Sequence, residues 1–170
     1  MISLFLTDRE ITSINFWFTK MKPSHPEKRR HKRIRAEGIL KLKYNVIGGG
    51  SHRIVYDLQN GYVLKIALRK RGFKSNKVEF NLYMNCPPEL QKHFCPVAEL
   101  GNGWIIMKKI VNEIPGSSEY EEKISNLGNL FRSYGIEPLD FKRKNLALTQ
   151  DGEITVIDYG NFKFNLRNPN

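Results

Sequence analysis

The chain has 170 residues, enough for one domain of ordinary size or for one domain and a tail. Its composition is 40% hydrophobic and 11% aromatic, so it can build a core, and its net charge of +11 favours anionic partners such as nucleotides, nucleic acids or acidic proteins. Cys86 and Cys95 lack the spacing of metal ligands, which indicates ordinary reduced thiols. No apolar run is long enough to span a membrane, and positive charge follows the first apolar stretch, so we expect a cytoplasmic protein without a secretory signal.

The first 20 residues predict a helix. Ile11, Ile14 and Phe18 recur at helical spacing, and Thr7 or Asp8 can cap the helix at its start. Such a helix either packs on the main domain or serves as a hydrophobic docking arm for another protein. Met21 could also be an alternative start of the chain.

A strongly basic segment follows, from Lys20 to Lys43, and it begins with a break at Pro23 and Pro26. Lys28 to Glu37 predicts a polar helix. The segment is either a solvated face or a contact with nucleic acid or an acidic partner, and we see no groups in it that would read a base sequence. Its ten cations are Lys20, Lys22, Lys28, Arg29, Arg30, Lys32, Arg33, Arg35, Lys41 and Lys43.

Residues 44–67 predict three strands joined by two turns. The first turn contains Gly48, Gly49 and Gly50, and glycines between strands let backbone N–H groups approach phosphate oxygens without interference from a Cβ atom. A triple glycine is also a common flexible hairpin tip. Lys65 lies in the third strand, where a lysine normally faces solvent.

The middle of the chain predicts a helix, a hairpin and a second helix. Ser75 to Met84 carries an apolar stripe, with Glu79 at its centre. Val97 to Leu100 and Trp104 to Ile110 form the hairpin around a Gly-Asn-Gly turn, and a further helix opens at Ser117 and ends near Gly135.

The last third of the chain, Gly135 to Gly160, carries the strongest pattern. Asp140 and Asn145 enclose Phe-Lys-Arg-Lys, and the Asp-Gly pair at Asp151 predicts a two-residue hairpin turn. Such a hairpin would bring Asn145 and Asp158 face to face at its open end, beside Asp140. Hard oxygen ligands in that number suit Mg²⁺ shared with phosphates.

In these motifs the sequence resembles a protein kinase. The catalytic loop of that family, Asp-x-Lys-x-x-Asn, is matched at Asp140, Lys142 and Asn145, and its metal-binding Asp-Phe-Gly is matched by Asp158-Tyr159-Gly160. The glycine-rich loop is matched at Gly48, Gly50 and Val55, with Arg53 in place of the third glycine.

The resemblance implies an α+β fold, with a kinase-like N-lobe of antiparallel sheet plus one helix and a minimal, truncated C-lobe. The implied domains are a helical and basic extension at residues 1–43, an N-lobe at 44–110 and a C-lobe at 111–170. The match covers about residues 44–162 and is similar to the small kinase-like proteins of bacteria and phages, because the activation segment and the helices that bind protein substrates are missing.

The resemblance also implies roles for individual residues, with ATP and Mg²⁺ as cofactors. Lys65, oriented by Glu79 rather than by the rival Glu89, would neutralise phosphates. The nucleotide would contact Gly48, Gly49, Gly50, Ser51, Val55, Lys65, Met107, Lys108 and Ile110. Asn145 and Asp158 would bind the metal, and Asp140 and Lys142 would act on the acceptor hydroxyl and the transferred phosphoryl group.

Two hypotheses of function follow. The first is a phosphotransferase that acts on a Ser/Thr hydroxyl of a protein, of its own chain or of a small molecule. The second is a kinase-fold binding module or inhibitor with little turnover, which captures a macromolecular partner through its basic N-terminal arm. A nucleic-acid contact through residues 20–43 is compatible with both.

Overall fold

A computed structural model describes residues 3–21 and 29–164 of the chain. The chain forms two compact units, each described by itself below. The first unit comprises residues 1–76 and 98–109, and the second comprises residues 77–97 and 110–170. The division into domains at residues 43 and 110 stays a prediction, and Arg167 to Asn170, at the end of the chain, lies outside the described residues.

The first unit is built on a five-stranded sheet, in which β1, β2, β3 and β5 pair antiparallel. The strand order is β1-β2-β3-β5-β4. This agrees with the predicted α+β class and with the antiparallel sheet expected of a kinase-like N-lobe. The strands are β1 (Asn45–Gly49), β2 (Arg53–Asp57), β3 (Tyr62–Ala67), β4 (Val97–Gly101) and β5 (Trp104–Lys108).

Two N-terminal helices, α1 (Asp8–Lys20) and α2 (Arg29–Leu40), complete the core of the first unit. Thr7 caps α1 in a capping box with Glu10, which confirms the predicted helix start. Ile14 and Trp17 are fully buried in one cluster with core residues of the sheet, and the Trp17 indole N–H donates to the carbonyl of Ala67 at 2.9 Å. Helix α1 is therefore packed on the sheet, and its apolar stripe is not a free docking arm.

Helix α3 (Lys70–Asn85) begins five residues before the predicted start at Ser75. Its first turns belong to the first unit, where the ring of Phe73 lies 4.8 Å from the ring of Phe18 on α1. This long-range ring contact helps to hold an end rich in lysine and arginine in helical form, which the local sequence did not indicate.

The second unit holds the short elements of the last third of the chain. Ser117 accepts a hydrogen bond from the backbone of Tyr120 at the start of α5, in agreement with the predicted helix start. β6 pairs with β9 and β7 pairs with β8, all antiparallel. The elements are α4 (Pro88–Gln91), α5 (Ser118–Ser133), β6 (Ile136–Glu137), β7 (Leu146–Leu148), β8 (Ile154–Val156) and β9 (Lys163–Phe164), with a 3₁₀ turn at Arg143–Asn145.

The hairpin β7–β8 exists, but the predicted two-residue turn is wrong. Leu148 pairs with Ile154, so five residues, 149–153, form the connection. The Thr149 N–H donates to the carbonyl of Glu153 and the Gly152 N–H donates to that of Thr149, and Gly152 takes a positive φ of 78°. The Asp-Gly pair marked the position of the turn correctly. The connection is nevertheless longer than two residues, and these backbone hydrogen bonds close it.

No helix in residues 3–21 or 29–164 is both long and apolar enough to cross a bilayer.

The packing of α1 leads to a stability prediction. Trp17→Ala should lower the free energy of unfolding by about 3–5 kcal/mol, because it removes a fully buried ring and leaves the Ala67 carbonyl without its donor. Phe16→Ala is the matched control, since the Phe16 side chain is 51% exposed and should cost less than about 1 kcal/mol. Urea denaturation measures both values, and equal losses would show that α1 does not contribute to the core.

Candidate active site

The loop from Asp140 to Asn145 is closed on itself by hydrogen bonds. The side-chain amide of Asn145 donates to the backbone carbonyl of Asp140 at 2.9 Å and to its carboxylate at 3.4 Å. The Asn145 N–H donates to the carbonyl of Lys142 at 2.8 Å. Asp140 has a φ of 60°, a left-handed conformation that aspartate tolerates better than most residues. The loop therefore fixes one carboxylate and one amide side by side.

The end of the β7–β8 hairpin joins Asp158 to this loop. The carbonyl of Asn145 accepts from the N–H of Ile157 at 2.8 Å and from the N–H of Asp158 at 3.4 Å. Within the second unit, Asp140, Asn145 and Asp158 are thus linked in one hydrogen-bonded chain. The backbone of Asp158 thus lies beside Asn145, and the use of these side chains as one site stays a prediction.

The carboxylate of Asp140 is paired with Lys142. The Lys142 ammonium lies 2.6 Å from a carboxylate oxygen of Asp140, and the two side chains are 65% and 37% exposed. Its hydrogen bond to Lys142 is the largest cause that holds the pKa of Asp140 below its ordinary value, and the Asn145 amide adds to this effect. Asp140 is therefore ionised at neutral pH.

An aromatic cluster lies behind these loops. Phe94, Phe131, Phe141, Tyr159 and Phe162 have ring centroids 4.7 to 6.3 Å apart in seven pairs. Phe141 comes from the Asp140 loop and Tyr159 follows Asp158, so the cluster anchors both segments. The Tyr159 hydroxyl donates to the carbonyl of Cys95 at 2.8 Å, and burial raises the pKa of that hydroxyl far above its ordinary value.

Glu79 also takes part in holding this region. Its carboxylate is fully buried and accepts a hydrogen bond from the backbone N–H of Tyr159 at 3.2 Å. The rival Glu89 is exposed on α4. Sequence reasoning did not foresee the contact of Glu79 with Tyr159, because 80 residues separate them. The pairing of Glu79 with Lys65 stays a prediction.

In the first unit, Lys65 is only 5% exposed, unlike an ordinary strand lysine. It lies in the middle of β3, opposite Val55 on β2 and Ile105 on β5. Both strands that flank it are therefore apolar at this position. A lysine that is buried needs an anionic or polar partner.

The glycine segment forms the end of β1 and the turn into β2. Gly48 and Gly49 pair with Val55 and Ile54 beyond a bulge, and the Gly50 N–H donates to the carbonyl of Arg53 at 3.0 Å. A Cβ atom on Gly49 would lie 2.7 Å from the Arg53 carbonyl oxygen, and its φ is 143°, so this position requires glycine. Beside it, the Ser51 hydroxyl lies 3.3 Å from Nε2 of His52.

A cavity of about 450 Å³ opens in the second unit next to the Asp140 loop. Ile110, one of the expected nucleotide contacts, lines this cavity. The other two expected contacts, Met107 and Lys108, do not line it: Met107 is fully buried and Lys108 is exposed at the end of β5. Sequence reasoning missed the segment after Ile110 as part of this cavity. An isolated antiparallel β-bridge between Asn112 and Leu148 holds that segment beside β7. The lining residues are Ile110, Val111, Asn112, Glu113, Ile114, Arg143, Lys144, Leu146, Ala147 and Ile157.

Within the described parts of the chain, no three His, Cys, Asp or Glu side chains are grouped as a metal site. The candidate ligands are instead one carboxylate, Asp158, and one amide, Asn145. Such a pair is typical of Mg²⁺ that is completed by substrate phosphates and water, and it is not typical of a closed structural metal site.

Comparisons with known proteins found no matching family model and no matching curated protein. Among solved structures, the chain is similar to the bifunctional kinase-methyltransferase WbdD, with a TM-score of 0.47 and 16% sequence identity. The match covers 70% of this chain and 32% of that chain, so this chain spans about a third of that protein.

The ion pair of the loop leads to a prediction about pKa. In Lys142→Met the pKa of Asp140 should rise toward its ordinary value near 3.8, because the strongest stabilising hydrogen bond of the carboxylate is lost. NMR titration of the carboxyl carbon measures the shift. Lys163→Met, an exposed position on β9, is the matched control and should leave this pKa unchanged.

The same pair has a consequence for stability with pH. The pKa of Asp140 is lowered in the folded state, so any stabilisation by the pair is present above the ordinary pKa and is lost as pH falls through the folded value. An unchanged titration of Asp140 in Lys142→Met would contradict the assigned ion pair.

Proposed function

We propose that this protein is an ATP- and Mg²⁺-dependent phosphotransferase with a kinase-like fold. The observation that carries the proposal is the hydrogen-bonded chain of Asp140, Asn145 and Asp158 in the second unit. Phosphoryl transfer depends mainly on positioning and on electrostatic stabilisation. These three residues are held in place by backbone hydrogen bonds and by a buried aromatic cluster.

The candidate metal ligands fit Mg²⁺ by their chemistry. Asp158 and Asn145 offer hard oxygen donors, and Mg²⁺ commonly takes one or two carboxylates together with substrate phosphates. When bound, Mg²⁺ would neutralise charge on the phosphates of the nucleotide.

The ionised Asp140 is the candidate for orienting the acceptor hydroxyl and accepting its proton. Lys142, already hydrogen-bonded to Asp140, would offset negative charge on the transferred phosphoryl group. In the first unit, the buried Lys65 and the backbone of Gly48 to Ser51 are the candidates for holding phosphates. We take the acceptor to be a Ser or Thr hydroxyl of a protein, including this chain itself.

The cavity beside the loop is the candidate site for the base of the nucleotide. Its volume lies within the range of ligand sites, and Ile110, Ala147 and Ile157 give it apolar surface against which a flat ring can pack. Met107 and Lys108 immediately precede this segment in the sequence, and their contact with the nucleotide stays a prediction.

A second candidate function is a binding module with little turnover. The observation that favours it is Arg53, which stands where the third glycine of the phosphate loop is expected and is 7% exposed, with its guanidinium hydrogen-bonded to Asn76 at 3.1 Å. A buried, hydrogen-bonded arginine side chain therefore occupies the position where the phosphate loop of a kinase has no side chain.

The first test is transfer of labelled γ-phosphate from Mg-ATP by the full chain, alone and with a cell extract. Asp140→Ala and Asp158→Ala should each reduce the labelling by about 10²-fold or more, because each removes a group from the proposed reacting centre. Asp151→Ala is the matched control, since it removes the same charge from the exposed 149–153 connection.

Calorimetric titration with Mg-ATP decides between the two functions. Labelling that vanishes in both variants and persists in Asp151→Ala supports the phosphotransferase. Binding of Mg-ATP without any labelling supports the binding module, and absence of binding at millimolar Mg-ATP overturns the proposal of a nucleotide site.

A further prediction concerns the cavity. Ala147→Leu should weaken binding of Mg-ATP by about tenfold, because the added carbons occupy space that the base would fill. Ala147 is buried, so the variant should also lose about 1–3 kcal/mol of stability, which circular dichroism measures separately. Ala98→Leu, at an exposed position of β4, is the matched control. Unchanged affinity in a folded Ala147→Leu protein would place the nucleotide elsewhere.

A further inference from the structure

The net charge of the chain is concentrated in the first unit. Residues 1–76 and 98–109 contain 19 lysines and arginines against six acids, a net charge of +13. The second unit contains nine basic and eleven acidic residues, a net charge of −2. The surface of an ordinary domain carries positive and negative side chains in similar numbers. The excess of positive charge in the first unit is therefore typical of a protein that binds an extended anion.

The described carboxylates of the first unit are held away from most of these cations. Glu37 pairs with Arg33, and Asp57 pairs with Lys109 at the opposite end of β2 from Arg53. Glu10 belongs to the capping box of α1, and Glu99 binds Ser3 and the N–H of Leu4. Asp8 begins α1, about 18 Å along that helix from Lys20 at the rise of an α-helix.

The start of α3 carries the least compensated group of cations. Lys70, Arg71 and Lys74 are exposed, and none of them forms an ion pair with a residue that the structure describes. The first turn of α3 contains no acid. The positive end of the helix dipole repels cations at this position, and Lys70 also repels Lys74 one turn further along the helix. Both repulsions destabilise the helix when no anion is bound.

Two other elements border these cations. Phe18 of α1 packs on Phe73 of α3, and the Lys20 ammonium lies on another face of α1, over the ring of Phe16. On the other side, the carbonyl of His52 accepts from the Leu68 N–H at 2.7 Å. Burial, together with nearby arginines, lowers the pKa of the His52 ring, so this ring adds no positive charge at neutral pH. We call Lys70, Arg71 and Lys74 the basic surface.

We propose that the basic surface binds the phosphodiester backbone of a nucleic acid, without reading its base sequence. The basic surface presents three cations within two turns of α3 and belongs to a unit with a charge of +13. Repeated charge of one sign matches a chain of phosphates, and long flexible lysines act on such a chain as point charges. The site is centred on α3 and therefore differs from the expected contact through residues 20–43.

The test is binding of a labelled single-stranded oligonucleotide by the full chain, followed by fluorescence anisotropy at several salt concentrations. The triple variant Lys70→Gln, Arg71→Gln, Lys74→Gln should lose about tenfold or more in affinity. The slope of log affinity against log salt should fall by about 2 to 3, one for each lost phosphate contact. Glutamine removes the like charges without shortening α3, and circular dichroism checks the fold.

The matched control is Lys92→Gln, Arg132→Gln, Lys163→Gln, which removes three exposed positive charges from the second unit. It should lose less than about twofold, because these charges belong to the second unit and not to the proposed surface. Equal losses in both triple variants would overturn the proposal, as would absence of salt-dependent binding. A duplex of the same sequence tests which form of nucleic acid is preferred, and both forms support the proposal.

Competition between polyglutamate of matched charge and the labelled oligonucleotide distinguishes an acidic protein partner from a nucleic acid partner. If polyglutamate displaces the labelled oligonucleotide at a lower charge concentration than unlabelled oligonucleotide does, the surface prefers acidic protein and the proposal is wrong. Mg-ATP titration of the α3 triple variant should give unchanged affinity, so failure of this proposal and failure of the proposed phosphotransferase are distinguishable.

Discussion

The ring of Phe94 packs against Phe131 and Tyr159 at centroid distances of 5.0 and 4.7 Å, and the candidate active site depends on this contact. The backbone beside Phe94 pairs with Val156, the last residue of β8. Since β8 leads directly to Asp158, the buried rings fix the direction in which that carboxylate leaves the hairpin. The position of the exposed Asp158 in the second unit therefore depends on the packing of buried aromatic rings.

The candidate site combines a rigid backbone with exposed reactive groups. Asp140 and Asp158 are exposed, yet both are attached to Asn145 through hydrogen bonds of the backbone or side chain. Glu79 adds a buried carboxylate that accepts from the N–H of Tyr159. Such preorganisation would lower the cost of aligning charges in the proposed phosphoryl transfer.

The two units differ in electrostatic character as well as in fold. The first unit combines a sheet, two N-terminal helices and a large excess of positive charge, whereas the second is slightly acidic and carries Asp140 and Asp158. The burial of Trp17 against β3 makes the N-terminal helices part of the first unit's core. Cations on these helices and on α3 are therefore presented from a folded surface and not from a loose arm.

Sequence patterns predicted the features that depend on neighbouring residues. The helix start at Thr7, the strands around Lys65 and the approach of Asn145 to Asp158 follow from capping, apolar periodicity and turn residues. Together they predicted most of the elements, with errors at element ends such as the start of α3, whereas the roles of Asp140 and Asp158 stay predictions.

Contacts between residues far apart in the sequence became known from the folded structure alone. The bond from Tyr159 to Glu79, the packing of Phe94 and the segment that lines the cavity after Ile110 join residues far apart in sequence. Burial likewise settled whether α1 packs on the sheet or is left free, because its apolar stripe suits both. Local patterns specify which face of an element is apolar, whereas the partner of that face depends on how the whole chain packs.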